Sequence, residues 1–128
     1  MISTKLPFAA HALVETAAAL SFIFRPEKQL PACTPAAKLI LRQYGGLLLA
    51  TNLVCIVILA QPSLGDNTIR LLAAALGSYH LWPCYRAYIR IAYQVDAQEQ
   101  TQPALGGPSV HLVVHLLCLA MFVRTVLS

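Results

Sequence analysis

The sequence predicts an all-α fold, an integral membrane antiparallel four-helix bundle, and three observations predict it. Hydrophobic residues make up 58% of the chain and charged residues only 11%, against about 25% charged in typical soluble domains. The apolar residues fall into four runs, each close to the length a bilayer requires. The basic residues stand one to three at a time at the ends of those runs, where a membrane–water interface holds them. A water-soluble chain would need polar surface that this composition does not supply, and a mean hydropathy of +0.65 agrees.

Run one covers 7–24 and is closed by Arg25-Pro26-Glu27-Lys28. A helix of that length rises about 27 Å, close to a hydrocarbon core of roughly 30 Å. Lys5 ahead of an apolar stretch also fits a signal peptide. The run contains His11 and Glu15, however, is long for such a segment and lacks a small-x-small cleavage site, so it reads as a retained span.

Run two begins near Ala36, with its span at 38–60, and is free of formal charge from Gln43 to Ala60. Gln61-Pro62-Ser63-Leu64-Gly65-Asp66 ends it with turn residues. Run three, 69–92, follows Asn67-Thr68, a plausible cap, and carries Arg70 at one end and Arg86 and Arg90 at the other. A polar linker from Gln94 to Pro108 leads to run four, 109–127, which holds Arg124 near its end. The four runs use nearly the whole chain, so residues 1–128 read as a single transmembrane domain. Short connections make neighbouring helices antiparallel.

Charge sets the orientation. The first and third loops with their helix ends hold Arg25, Lys28, Lys38, Arg42, Arg86 and Arg90; the opposite side holds Lys5, Arg70 and Arg124. This places loops 25–38 and 93–108 in the cytosol and both termini in the lumen or exterior. Trp82, Tyr85, Tyr88 and Tyr93 would form the cytosolic aromatic belt. The endoplasmic reticulum is the default compartment.

Composition also excludes. A net charge of +4 raises nucleic acid as a partner, but the basic residues make no patch with interleaved aromatics. Cys33, Cys55, Cys84 and Cys118 show neither CxxC nor a disulfide spacing. Cys55 and Cys118 lie in apolar runs, where a thiol is a small hydrophobe.

Several polar residues fall at membrane depth: Glu15 in the first run, Asn52 in the second, His80 in the third and His115 in the fourth. An ionised carboxylate at mid-bilayer costs several kcal/mol, roughly. Glu15 must therefore be paired, hydrogen-bonded or held neutral, and must face the interior. His11 and Glu15 are four apart and share a helix face, and His111 and His115 repeat the arrangement. In an antiparallel bundle Glu15, Asn52, His80 and His115 fall at similar depth and would line one cavity, with Arg42 and Arg86 at its cytosolic mouth to hold an anionic or carbonyl group. Pro83 has no N–H, which frees the carbonyl of Tyr79 as an acceptor beside His80. Gly45 and Gly46, with Ala17, Ala18 and Ala19, permit close helix contact.

Interhelical glue is the plain explanation for such residues. Six titratable groups (His11, Glu15, Arg42, His80, His111 and His115) exceed what packing requires. The chemical reading makes Glu15, His11 and His80 catalytic: Glu15 moves a proton, His11 orients it, and His80 or His115 is the complementary base. Asn52, Arg42, Tyr79, Arg86 and His115 would bind substrate. The reaction is an isomerisation, cyclisation or epoxide opening of a lipophilic small molecule that arrives from the bilayer.

No cofactor is expected, since there is no phosphate loop, no CxxCH and no GxSxG. Four histidines and a carboxylate are ligands for iron or zinc, but the Glu-x-x-His di-iron pattern is absent and no metal is expected. The runner-up is a non-catalytic scaffold, an accessory subunit or a small transporter component. The expected partners are the lipid bilayer and a lipophilic small molecule, and beyond these a homo-oligomer or a larger membrane enzyme, without nucleic acid.

Short motifs carry a family likeness. His11-x-x-x-Glu15 with Phe24-x-Pro26, Arg42-Gln43-Tyr44-Gly45, and Tyr79-His80-x-x-Pro83 followed by Arg86 span roughly residues 8 to 90. On these the chain resembles small, mostly uncharacterised four-span membrane proteins of filamentous fungi. Some proteins of similar size in fungal natural-product pathways are implicated in cyclising or isomerising lipophilic intermediates. The resemblance implies the same fold and an isomerase or cyclase role in secondary metabolism; the fourth-run histidines lie outside it.

Overall fold

The computed structural model describes residues 4–30, 32–93 and 106–128, and they form helices α1 (Leu6–Phe24), α2 (Pro26–Gln29), α3 (Pro35–Ala60), α4 (Asp66–Tyr79), α5 (Leu81–Ala92) and α6 (Gly107–Leu127). There is no strand among the described residues. The fold is all-helical. Among the described residues three helices, α1, α3 and α6, are long and apolar enough to cross a membrane. Most of the expected linker after run three, residues 94–105, lies outside the described residues.

Helix ends follow local chemistry. α3 starts at Pro35, ahead of the expected 38, because the Thr34 hydroxyl accepts from the Ala37 amide at 3.2 Å and Pro35 suits the first turn. The segment expected as a plain loop after Phe24 holds the short helix α2, opened by Pro26. Gln29 ties it back, donating from Nε2 to the Ser21 hydroxyl at 2.8 Å. Before α6 the backbone turns at Gly106 (φ 86°) and Gly107 (φ 79°), left-handed values that favour glycine.

Run three is not one unbroken helix. The chain divides it at His80 into α4 and α5, of 14 and 12 residues. Pro83 cannot donate to the carbonyl of Tyr79, so the regular ladder fails there. The turn closes instead through His80 N–H donating to the Gly77 carbonyl at 3.0 Å, and the ladder resumes with Cys84 N–H donating to His80 at 3.2 Å. The break is one residue long, and His80 itself keeps helical dihedrals (φ −65°, ψ −14°).

Two compact units divide the chain: Phe8–Pro62, and Ser63–Ser128 together with the N-terminal residues up to Pro7. In the first unit α1 and α3 run antiparallel. Contacts pair His11 with Thr51, the Ala19 carbonyl with Gly45, and the Ile23 carbonyl with Arg42, so the numbers rise on one helix as they fall on the other. Gly45 makes the close approach: a Cβ there would stand 2.9 Å from the Ala19 carbonyl oxygen. Gly46, its neighbour, faces open space. Of the expected small residues, Gly45 and Ala19 make this contact. The Phe22 and Tyr44 rings meet edge to face at 4.9 Å beside it.

In the second unit α6 packs antiparallel on α4 and α5. His115 meets His80, and Phe122 lies against Gly77, where a Cβ would come within 2.8 Å of the Phe122 Cβ. The Thr125 hydroxyl donates to the Thr4 carbonyl at 3.3 Å and fastens the N-terminal residues to this unit.

Burial on each helix follows a narrow stripe with spacings of three and four. On α1 it is Phe8, His11, Glu15, Ala19 and Phe22; on α3, Gly45, Leu48, Asn52, Cys55 and Ile58. On α6 the stripe is His115, Cys118, Phe122 and Thr125. This is the thin seam of a coiled-coil-like contact, not the broad apolar face of a soluble helix. The remaining faces are apolar and uncovered: Leu13 is 77% exposed and Leu117 61%.

Candidate functional site

Each unit carries a buried polar cluster on its stripe. In the first unit the stripe position after Phe8 is His11, and one turn on is Glu15; the two are 0% and 1% exposed. His11 is oriented by α3, with Nε2 3.2 Å from the Thr51 hydroxyl oxygen. That hydroxyl already donates its proton to the Leu48 carbonyl at 2.8 Å. The imidazole must therefore donate from Nε2, and its lone pair is at Nδ1. His11 is held in the tautomer of a base with Nδ1 as the basic atom.

Asn52 is buried across from Thr16, the residue after Glu15, and donates from Nδ2 to the Thr16 hydroxyl at 2.9 Å. The Thr16 hydroxyl itself donates to the Ala12 carbonyl at 2.6 Å. A hydroxyl committed as donor can only accept from the amide, which fixes the amide orientation. Asn52 Oδ1 is then a buried acceptor, without a hydrogen-bond partner among the described residues. Leaving such a group unsatisfied costs about 1–3 kcal/mol. Such an acceptor is able to take a hydrogen bond from a hydroxyl or an amine.

In the second unit His80, at the junction of α4 and α5, and His115 on α6 are both buried. Their Nδ1 atoms stand 2.9 Å apart. Two imidazole nitrogens at that distance share one proton: one ring donates, the other accepts. Phe122 stacks on His80 with centroids 5.6 Å apart, and Tyr79 meets the same ring edge-on at 5.3 Å. His111, one turn before His115, lies 6.0 Å from it centroid to centroid. Its Nδ1 donates to the Gly107 carbonyl at 3.2 Å.

The three other expected residues are less buried. Arg42 is exposed and donates from Nε to the Ile23 carbonyl at 3.3 Å, in the last turn of α1. Arg86 is exposed on α5, and Tyr79 is half-buried as the ring beside His80. A cleft of about 380 Å³ in the second unit includes none of the expected residues. It brings Arg70 and Arg124, which count in the sequence only as interface charges, to one opening with Asp66 and Thr125.

Thr16, Thr51 and Phe122 complete the clusters and escaped the sequence reading. Thr16 and Thr51 each adjoin a predicted site residue, a signal that was present but unremarkable. Phe122 carried none, since an aromatic in an apolar run looks like every other lipid-facing residue. No family model, curated protein or solved structure matches this chain, so its functional reading rests on its own residues.

Proposed function

We propose that the chain is an integral membrane protein that crosses the bilayer four times, α4 and α5 together forming the third crossing, and that it transfers protons on a lipophilic small molecule. One observation carries the reading. Titratable and amide side chains (His11, Glu15, Asn52, His80 and His115) are buried while leucines, isoleucines and valines of the same helices are exposed. In water that distribution is inside out. In hydrocarbon it is the stable one, because apolar faces cost nothing against lipid and polar groups must be enclosed.

Enclosure alone does not call for a base in a defined tautomer. His11, with its lone pair at Nδ1 and Glu15 one turn away on the same stripe, is an acid–base set. Asn52 Oδ1 is the acceptor for a substrate hydroxyl or amine. His80 and His115 hold a second exchangeable proton. Isomerisation and cyclisation need proton placement and exclusion of water, which these positions supply.

The membrane half of the reading is tested with the native cysteines. Cys33 is half-buried near the start of α3, whereas Cys55 and Cys118 are buried in α3 and α6. A membrane-impermeant maleimide should modify Cys33 from the cytosolic side only and leave Cys55 and Cys118 unmodified until the protein is denatured. Recovery of the protein from cytosol without detergent would end this half.

The chemical half is tested by comparing lipid extracts of cells that express the chain with extracts of cells that do not. A metabolite formed with the wild type should vanish with Glu15→Gln and with His80→Gln, at unchanged protein level and membrane insertion. Membranes incubated in heavy water with the unlabelled precursor should place one solvent deuterium in the product. Full product from both variants overturns the assignment.

A further inference from the structure

The geometry points to a proton relay along α6, from His111 through His115 to His80. It rests on the proposed proton chemistry and names the route by which a buried site exchanges protons with water. Packing accounts for the His80–His115 pair, since each nitrogen satisfies the other. It does not account for a third imidazole one turn nearer the start of α6, half-buried where the other two are buried.

The tautomers set the direction of each hop. A carbonyl only accepts, so the His111 proton is on Nδ1, facing Gly107. Its Nε2 therefore holds the lone pair and takes the proton that arrives from outside. The His111 and His115 ring centroids are 6.0 Å apart, no direct hydrogen bond joins them among the described residues, and one water would bridge them. His111 returns to neutral when its Nε2 proton passes to Nε2 of His115.

His115, now carrying two protons, gives the Nδ1 proton across 2.9 Å to Nδ1 of His80. His80 then releases a proton from Nε2 to the reacting group. One proton has entered and one has left, and the pair has exchanged donor and acceptor roles. A proton travelling outward restores it. An isomerisation, which adds one proton and removes another, resets the relay without any other reagent.

Two neighbouring rings hold the inner end of this route. Phe122 and Tyr79 hold the His80 ring from two sides, and Tyr79 also meets His115 at 6.5 Å. The charged groups that act on His111 are Arg86 and Arg90 of α5.

The test uses the full chain, labelled with ¹⁵N-histidine, in lipid nanodiscs without substrate. NMR should show one proton coupled to two imidazole nitrogens, from His80 and His115, exchanging with water. In His111→Asn the side-chain amide still donates to the Gly107 carbonyl but carries no mobile proton. Exchange should slow by about 100-fold, the low end of a positioned proton transfer, and free imidazole in the buffer should restore it. Wild-type exchange in His111→Asn overturns the relay. So does slow exchange that imidazole leaves unchanged, since that marks a structural role, and so does the absence of a shared proton. None of these readings depends on substrate, so the relay can fail while the loss of product in Glu15→Gln stands, and the reverse.

Discussion

Gly45→Leu is expected to lose the α1–α3 pairing, and Gly46→Leu to keep it. At Gly45 even a Cβ would stand 2.8 Å from Ile23 Cγ1, 2.9 Å from the Ala19 carbonyl oxygen and 3.0 Å from Phe22 Cβ. One of those atoms is backbone in the middle of a helix and cannot swing aside. The helices must separate instead. His11–Thr51 at 3.2 Å and Asn52–Thr16 at 2.9 Å tolerate only a few tenths of an ångström before they cease to be hydrogen bonds. Overpacking costs about 1–3 kcal/mol where side chains can adjust, and a backbone obstacle brings this variant to the upper end or beyond.

Gly46 is the control, because nothing lies within 4 Å of its Cβ position. Both substitutions gain the same helix propensity, roughly 1 kcal/mol, so the comparison isolates the contact. Thermal unfolding in detergent reads the difference. Equal melting temperatures for the two variants would show that α1 and α3 do not meet at Gly45.

The second large effect belongs to the buried imidazole pair. His80→Leu or His115→Leu alone strands the partner's Nδ1 in an apolar interior, at a cost of about 1–3 kcal/mol beyond any change in packing. The double variant removes both nitrogens and strands neither. It should be little less stable than the worse single variant, giving a coupling of about 1–2 kcal/mol in the cycle. Strictly additive losses would mean that the 2.9 Å approach of the two Nδ1 atoms carries no energy.

Much of the candidate site was legible because of what surrounds it. In a helix apolar on every face, a polar side chain marks the enclosed side, and Glu15, Asn52, His80 and His115 are all buried. The four-residue spacing of His11 and Glu15, and of His111 and His115, put each pair on one face as expected. Arg42 shows the limit of that reasoning. Depth put it near the end of its run; the contact it makes there, Nε donating to the Ile23 carbonyl, is one that no hydropathy pattern encodes.

Helix content, the apolar runs and the inward side of each helix were thus determined by sequence alone, since they follow from composition and from the energetic cost of polar groups away from water. Other features only the tertiary structure decided: that Gly45 and not Gly46 meets α1, that Thr51 holds His11 in one tautomer, and that His80 pairs with His115. Where the outward faces are as apolar as the inward ones, hydrophobicity does not specify rotation or register. Close fit and hydrogen bonding between particular side chains do.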